Sequence, residues 1–208
     1  MAIKLSLVIP TYNEALNIAE LCQKIINVLE GMALDFEIII VDDDSPDGTW
    51  RIADDLAKQD LRIKLIRRMS DRGLGSAVVS GWAVSRGGIL GVMDADLQHP
   101  PEILEVMISQ MINCQEIDIV VASRYVAKGG VLNKSFWQTF RSQLAILLGL
   151  ILAPRIFKLV KDPMSGYFIL RKEVIFGKQL SPRGYKILLE VLAMGSYRKV
   201  CEVPFIFG

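Results

Sequence analysis

Cysteine is scarce in this chain: three residues in 208, Cys22, Cys114 and Cys201. Odd in number and far apart, they argue against a disulfide framework or a zinc cluster and suit a reducing compartment. A charge excess is missing too. With 24 Lys and Arg against 23 Asp and Glu, the formal net charge is +1. There is therefore no global electrostatic case for a nucleic acid partner. No segment supplies the roughly 20 consecutive apolar residues of a membrane span. The nearest approach, Leu144 to Leu152, is followed by Pro154, Arg155 and Lys158. Met1-Ala-Ile-Lys4 runs straight into a strand pattern, so no signal peptide is expected. The first strand is not followed by Gly-x-Gly-x-x-Gly, and no Gly-Lys-Ser/Thr loop occurs, which argues against dinucleotide dehydrogenases and P-loop enzymes. Internal repeats and low-complexity linkers are also absent.

What is present is apolar residues, 51% of the chain, enough for a sizeable core in one large domain. Leu5 to Ile9, Phe36 to Val41, Ile63 to Ile66, Ile89 to Met93 and Ile117 to Ala122 are short apolar runs that read as buried strands. Between them, helical spacing predicts helices over about Ala15 to Leu29, Thr49 to Gln59, Gly73 to Arg86 and Pro101 to Met111. Alternating strands and helices over the first 125 residues predict a parallel α/β sheet. Such sheets bind ligands beyond the carboxyl ends of their strands. Those ends carry Tyr12 and Glu14, Asp42 and Asp43, Asp94 and Asp96, and Arg124.

The chain is organised around Leu90-Gly-Val-Met-Asp-Ala-Asp-Leu-Gln-His-Pro100. In extended chain, residues i and i+2 point the same way. Asp94 and Asp96 are thus expected to face one point beyond the strand, where a hard divalent cation takes oxygen ligands. Gln98 can add a carbonyl oxygen or hold a bound water. The competing reading is a turn-capping Asp pair before a helix. His99 reads as a general base or ligand, or more simply as a structural hydrogen-bonder beside Pro100.

Beyond Arg124 the character changes. Lys128-Gly-Gly130 is a basic, flexible loop pattern, and Phe136 to Leu152 is helix-like and strongly apolar with basic flanks. It fits a helix in a membrane interface, and equally a buried core helix or a dimer face. Ile169-Leu170 is a short strand, and a helix is expected from Arg171 onward. Gly184 to Leu192 is an amphipathic helix with Lys186 and Glu190 one turn apart, a spacing typical of a surface ion pair. Val200 to Phe207 is the last strand.

Pro10-Thr-Tyr-Asn-Glu14, Val41-Asp-Asp-Asp-Ser-Pro-Asp-Gly-Thr49, Gly73-Leu-Gly75, Met93-Asp-Ala-Asp-Leu-Gln-His-Pro100, Ser123-Arg-Tyr125, Gly129-Gly-Val131, Asp162-Pro-Met-Ser-Gly166 and Gly184-Tyr-Lys186 with Leu189-Glu190 occur in this order. Together they resemble the family 2 inverting glycosyltransferases, specifically the dolichol-phosphate (polyprenol-phosphate) mannose synthases, over nearly the whole chain. The resemblance implies an α/β GT-A fold with a mostly parallel central sheet flanked by helices, as a single catalytic domain over 1–208. Residues 1–125 would form the nucleotide-sugar-binding part and 126–208 the acceptor- and membrane-facing part. It implies that Pro10, Tyr12 and Glu14 line the nucleoside pocket, with Val41 and Asp43 at base and ribose and Ala95 touching the nucleotide. Asp94, Asp96 and Gln98 would hold Mg²⁺ or Mn²⁺ on the donor's diphosphate. Arg124 would meet diphosphate or acceptor phosphate, and Arg141 and Ser142 the acceptor phosphate. Asp96 and Arg124 carry the catalytic assignment.

The chain departs from the family pattern in three places. Gln138 stands where the family usually has an arginine, Phe168 follows Tyr167 where an arginine is common, and the chain stops at Gly208 before a donor-covering loop, so it is expected to be truncated at its C-terminus. The expected function is inverting, metal-dependent transfer of mannose from GDP-mannose to a polyprenyl phosphate at the cytoplasmic face of a membrane. The alternatives are a UDP-glucose or other UDP-sugar donor, and a non-catalytic nucleotide-sugar-binding subunit. A soluble nucleotidyltransferase would need a glycine-rich basic loop where Thr11-Tyr-Asn-Glu14 stands.

Overall fold

The structure is a computed structural model that describes residues 4–126, 130–131, 156, 159–181 and 186–207. Arg141, Ser142, Gln138, Gly184 and the apolar stretch from Phe136 to Leu152 lie outside the described residues. In chain order the elements are β1 (Lys4–Thr11), α1 (Ile18–Gly31), β2 (Asp35–Asp42), α2 (Thr49–Gln59), β3 (Ile63–Arg67), α3 (Leu74–Ala83), β4 (Ile89–Val92), α4 (Ile103–Asn113) and β5 (Ile117–Ser123). Then come β6 (Gly130–Val131), β7 (Phe168–Arg171), a 3-10 turn at Lys172–Ile175, α5 (Ile187–Met194), β8 (Lys199–Pro204) and β9 (Ile206–Phe207).

Among the described residues, seven strands form one sheet in the order β3-β2-β1-β4-β7-β5-β8, and β6 pairs with β9. All neighbours in the large sheet are parallel except β7, which runs antiparallel to both β4 and β5. The alternation of side chains along each strand divides the core in two. Leu5, Leu7, Ile9, Ile38 and Ile40 pack with α1, α2 and α4 on one face. Val8, Ile39, Val41, Val92 and Phe168 pack with α3 and α5 on the other. Both faces are covered, which is why the strands read as continuous apolar runs.

Two expectations are corrected. The helix expected from Arg171 onward is a single 3-10 turn, closed by Gly177 at φ +69°. The last strand is interrupted at Phe205, 2% exposed, whose amide still donates to the Ser123 carbonyl at 3.2 Å while its ring packs against those of His99 and Tyr167. That break fastens the end of β8 to the loop after β4.

Candidate active site

The carboxyl ends of β1, β2 and β4 meet at one cavity of about 460 Å³. Its walls include Pro10, Tyr12, Glu14, Asp43, Asp94, Ala95 and Asp96, all expected from sequence. Thr11, Arg72, Gly73, Leu74 and Ala77 complete it; Gly73-Leu-Gly75, a helix opening and a motif of the resemblance, carried no site role in the sequence. Val41 does not reach the cavity. Its side chain is fully buried in the core on the α3 face.

The two loops over the cavity are tied together, and this sorts the acids of Asp42-Asp-Asp-Ser-Pro-Asp47. Asp42 accepts from Thr11 Oγ1 at 2.8 Å and from the Ser45 amide and hydroxyl at 2.9 and 2.6 Å. Asp47 accepts from the Ala15 amide at 3.0 Å and Thr49 Oγ1 at 2.6 Å, while Ser45 Oγ accepts from the Asn13 amide at 3.0 Å. These groups build the loops. Of the three consecutive acids 42–44, Asp43 faces the cavity. It accepts from Arg68 Nε at 2.7 Å and from the Gly73 amide at 2.7 Å. Gly73 has φ +143°, a conformation open to glycine at little cost, and it delivers its N–H at the start of α3.

Asp94 and Asp96 stand past the end of β4, in a loop in which Leu97 takes φ +60°. The loop, not continued strand, brings both carboxylates to the cavity. Asp94 is wedged against the 162–166 loop: a Cβ on Gly166 would lie 2.0 Å from Asp94 Oδ2. Its Oδ1 is buried and has no hydrogen-bond partner among the described residues. Burial raises the Asp94 pKa, and Asp96 adds to this, against the lowering fields of His99, Lys186 and Arg124. For Asp96 burial also raises, but His99 and the Gln98 amide outweigh it and the net shift is downward. Gln98 therefore enters through its backbone N–H, 3.1 Å from Asp96 Oδ1. His99 Nδ1 lies 3.7 Å from the same oxygen. The imidazole is 3% exposed and packed edge-on to Tyr167, an arrangement of a structural group.

Arg124 stands beside the cavity and is held by the buried Asp162, with Nε at 2.8 Å and Nη2 at 2.9 Å. Asp162 is in turn set by Glu202, whose carboxylate accepts from the Lys161 amide at 2.9 Å and the Asp162 amide at 3.1 Å. Arg124 is thus positioned from β8 through the 161–166 loop, a connection no local spacing announces. Among the described residues no three His, Cys, Asp or Glu side chains gather as a closed metal cage. Two carboxylates with one buried, unused oxygen fit instead a hard cation that draws its other oxygens from a bound diphosphate and water.

The family model described as glycosyl transferase family 2 matches residues 6–176. The chain is 49% identical over 205 residues to a dolichol-phosphate mannosyltransferase of Pyrococcus furiosus, covering 99% of this chain and 56% of the relative. It is 34% identical over 217 residues to a dolichol-phosphate mannosyltransferase of Saccharomyces cerevisiae, covering 100% of this chain and 79% of the relative. The chain thus spans little more than half the length of the archaeal relative. Among solved structures, glucosyl-3-phosphoglycerate synthase from Mycobacterium tuberculosis in complex with Mn²⁺ and UDP-glucose superposes with a TM-score of 0.74 at 19% identity, over 99% of this chain and 70% of that one. That likeness shows the fold, which is of the GT-A type.

Proposed function

The chain belongs to glycosyl transferase family 2, and from that premise we propose that it transfers mannose from GDP-mannose to a polyprenyl phosphate with inversion, assisted by Mg²⁺ or Mn²⁺. The relatives named dolichol-phosphate mannosyltransferase support the sugar and the acceptor class. The single observation that carries the reading is the buried, unpartnered Oδ1 of Asp94 at the cavity shared by Asp96, Tyr12 and Asp43.

On this reading the nucleoside lies along Pro10, Tyr12, Glu14 and Asp43, with Ala95 against it, and the diphosphate reaches Asp94 and Asp96. These two carboxylates would hold the cation, which as a Lewis acid neutralises charge on the departing diphosphate. An oxygen of the acceptor phosphate attacks the anomeric carbon from the face opposite the diphosphate. The new C–O bond forms as the old one breaks, and the electron pair leaves with GDP, so configuration inverts. No protein base is required, because a phosphate monoester with a second pKa of about 6 is already anionic at neutral pH. Arg124, its Nε and Nη2 held by Asp162, would contribute a fixed, permanent positive charge to a phosphate.

We assign residues 1–125 to the donor side and 126–208 to the acceptor side of one catalytic domain. Arg141 and Ser142 belong to the acceptor-phosphate assignment, and the basic-flanked apolar stretch around Phe136 to Leu152 to contact with the cytoplasmic face of a membrane. No described helix is long and apolar enough to cross a membrane. The test is incubation with radiolabelled GDP-mannose or UDP-glucose, a polyprenyl phosphate and Mn²⁺, followed by organic extraction. Label is expected in the lipid from GDP-mannose, and Asp96→Ala should lower it by roughly 10²-fold or more. Preferential labelling from UDP-glucose would replace the donor. Donor binding without lipid labelling would make the chain a binding subunit.

A further inference from the structure

Lys186 and Glu190 have the spacing of a helical ion pair, yet they do not pair. Glu190 Oε1 accepts instead from the Ser181 amide at 2.5 Å. Lys186 Nζ turns toward the 162–166 loop and reaches the Met164 carbonyl at 3.4 Å. Met164 is two residues before Gly166, the residue in van der Waals contact with Asp94. The ammonium group is thereby carried to the edge of the metal-motif carboxylate, and it has no ion-pair partner among the described residues.

Arg124 makes the contrast. It also approaches Asp94, but its guanidinium is engaged by the buried Asp162 carboxylate. Of the three groups whose fields lower the Asp94 pKa, His99 is buried among aromatic rings, Arg124 is engaged by Asp162, and Lys186 is the exposed one. Neither cation is among the residues that line the nucleotide cavity. A donor filling the cavity therefore leaves Lys186, held at the Met164 carbonyl, outside its lining. A phosphate monoester brings a charge of about −1.5 to −2 at neutral pH, and a lysine ammonium is a compact, rotatable partner for it.

We propose that Lys186 is an acceptor-binding residue that receives the phosphate of the incoming lipid and holds its nucleophilic oxygen beside the Asp94 corner. This rests on the acceptor class inferred above. The loop 162–166 then serves both substrates, with Gly166 against Asp94 and the Met164 carbonyl orienting Lys186.

The test compares the wild-type protein with Lys186→Met and Lys186→Arg in the lipid-transfer assay. In Lys186→Met the acceptor KM should rise at least about tenfold, the loss expected for a charge-assisted hydrogen bond. The donor KM, and Mn²⁺-dependent binding of GDP, should stay within about twofold. Lys186→Arg should retain most of the acceptor affinity. Inorganic phosphate should compete with the lipid in the wild type and do so more weakly in Lys186→Met. An unchanged acceptor KM in Lys186→Met overturns the assignment, as does a loss of GDP binding matching the loss of transfer. The wild-type arm reports separately on the acceptor class: no transfer to any polyprenyl phosphate sinks that reading, whereas transfer that is indifferent to position 186 sinks only this one.

Discussion

Glu37 and Asp94 are acids placed at opposite ends of one sheet, and their surroundings are built on opposite plans. Glu37, near the start of β2, is fully buried and saturated. It accepts from Ser6 Oγ at 2.6 Å, Lys64 Nζ at 2.8 Å, the Arg86 amide at 2.7 Å and Arg86 Nε at 3.0 Å. Burial pushes its pKa up, but those donors prevail and bring it down to about 2. Asp94, past the end of β4, keeps a buried oxygen with no partner, and burial prevails over the neighbouring cations. A carboxylate whose donors are supplied by its own chain is part of the scaffold. One left wanting has been shaped for something the chain does not itself provide. Buried polar atoms are otherwise nearly always paired.

The largest effect on stability expected from this contrast is at the scaffold end. Glu37→Gln leaves the partly exposed Lys64 and Arg86 without their anion and should cost about 2 kcal/mol of stability, the scale of hydrogen bonds to a charged group. Urea unfolding at pH 7 measures it. The folded-state pKa lies below the unfolded one, so Glu37's contribution is complete above about 4.5 and is lost as the pH falls toward about 2. The gap between wild type and variant should therefore close over that window. A variant as stable as wild type at pH 7 would break the comparison at its firmer end.

Gly166→Ala probes the other end by geometry alone. The added methyl would stand 2.0 Å from Asp94 Oδ2 and 2.6 Å from its Cγ, so the carboxylate must move. Transfer should fall by about 100-fold, the scale for a displaced charge-stabilising group, with donor-dependent Mn²⁺ affinity falling alongside it. Calorimetry of Mn²⁺ and GDP binding separates this from general destabilisation. Near-normal transfer in the variant would mean that Asp94 does not act from where it stands.

How much of this was legible in the sequence follows from how local each cause is. The strands β1, β2, β4 and β5 announce themselves as apolar runs with polar ends, and because both sheet faces are covered, those runs carry no competing pattern. The strand ends pointed to Tyr12, Glu14, Asp42, Asp43, Asp94, Asp96 and Arg124, of which all but Asp42 and Arg124 line the cavity. The orientation of β7 was not legible, because four residues, Phe168–Arg171, carry no signal of the direction in which the chain returns between β4 and β5. Strand-end spacing alone does not tell Asp43 from Asp42 and Asp47, since their partners Arg68, Thr11 and Ala15 lie 25 to 32 residues away; only the family resemblance singled out Asp43. Val41 sits inside a cavity-lining motif, but the strand alternation turns its side chain into the core.

Asp94→Asn is the smallest change and the one that sets the two ends most directly against each other. At the scaffold end, removing the charge is destabilising; here the sign should invert. The folded-state pKa of Asp94 lies above the unfolded one, so ionised Asp94 burdens the folded state. That burden is present in full above the folded value and vanishes as the pH falls below the unfolded one. Removing the charge should raise stability at neutral pH by about 1 kcal/mol, the scale of an unmet buried polar group, and the advantage should shrink in acid. The same variant should lose transfer and should no longer be stabilised against heat by Mn²⁺ with GDP, although that mixture raises the melting temperature of the wild type. A variant that is both less stable and still responsive to Mn²⁺ would mean that the Asp94 carboxylate is satisfied within the fold after all, as Glu37 is, and that the two ends of the sheet are built on one plan.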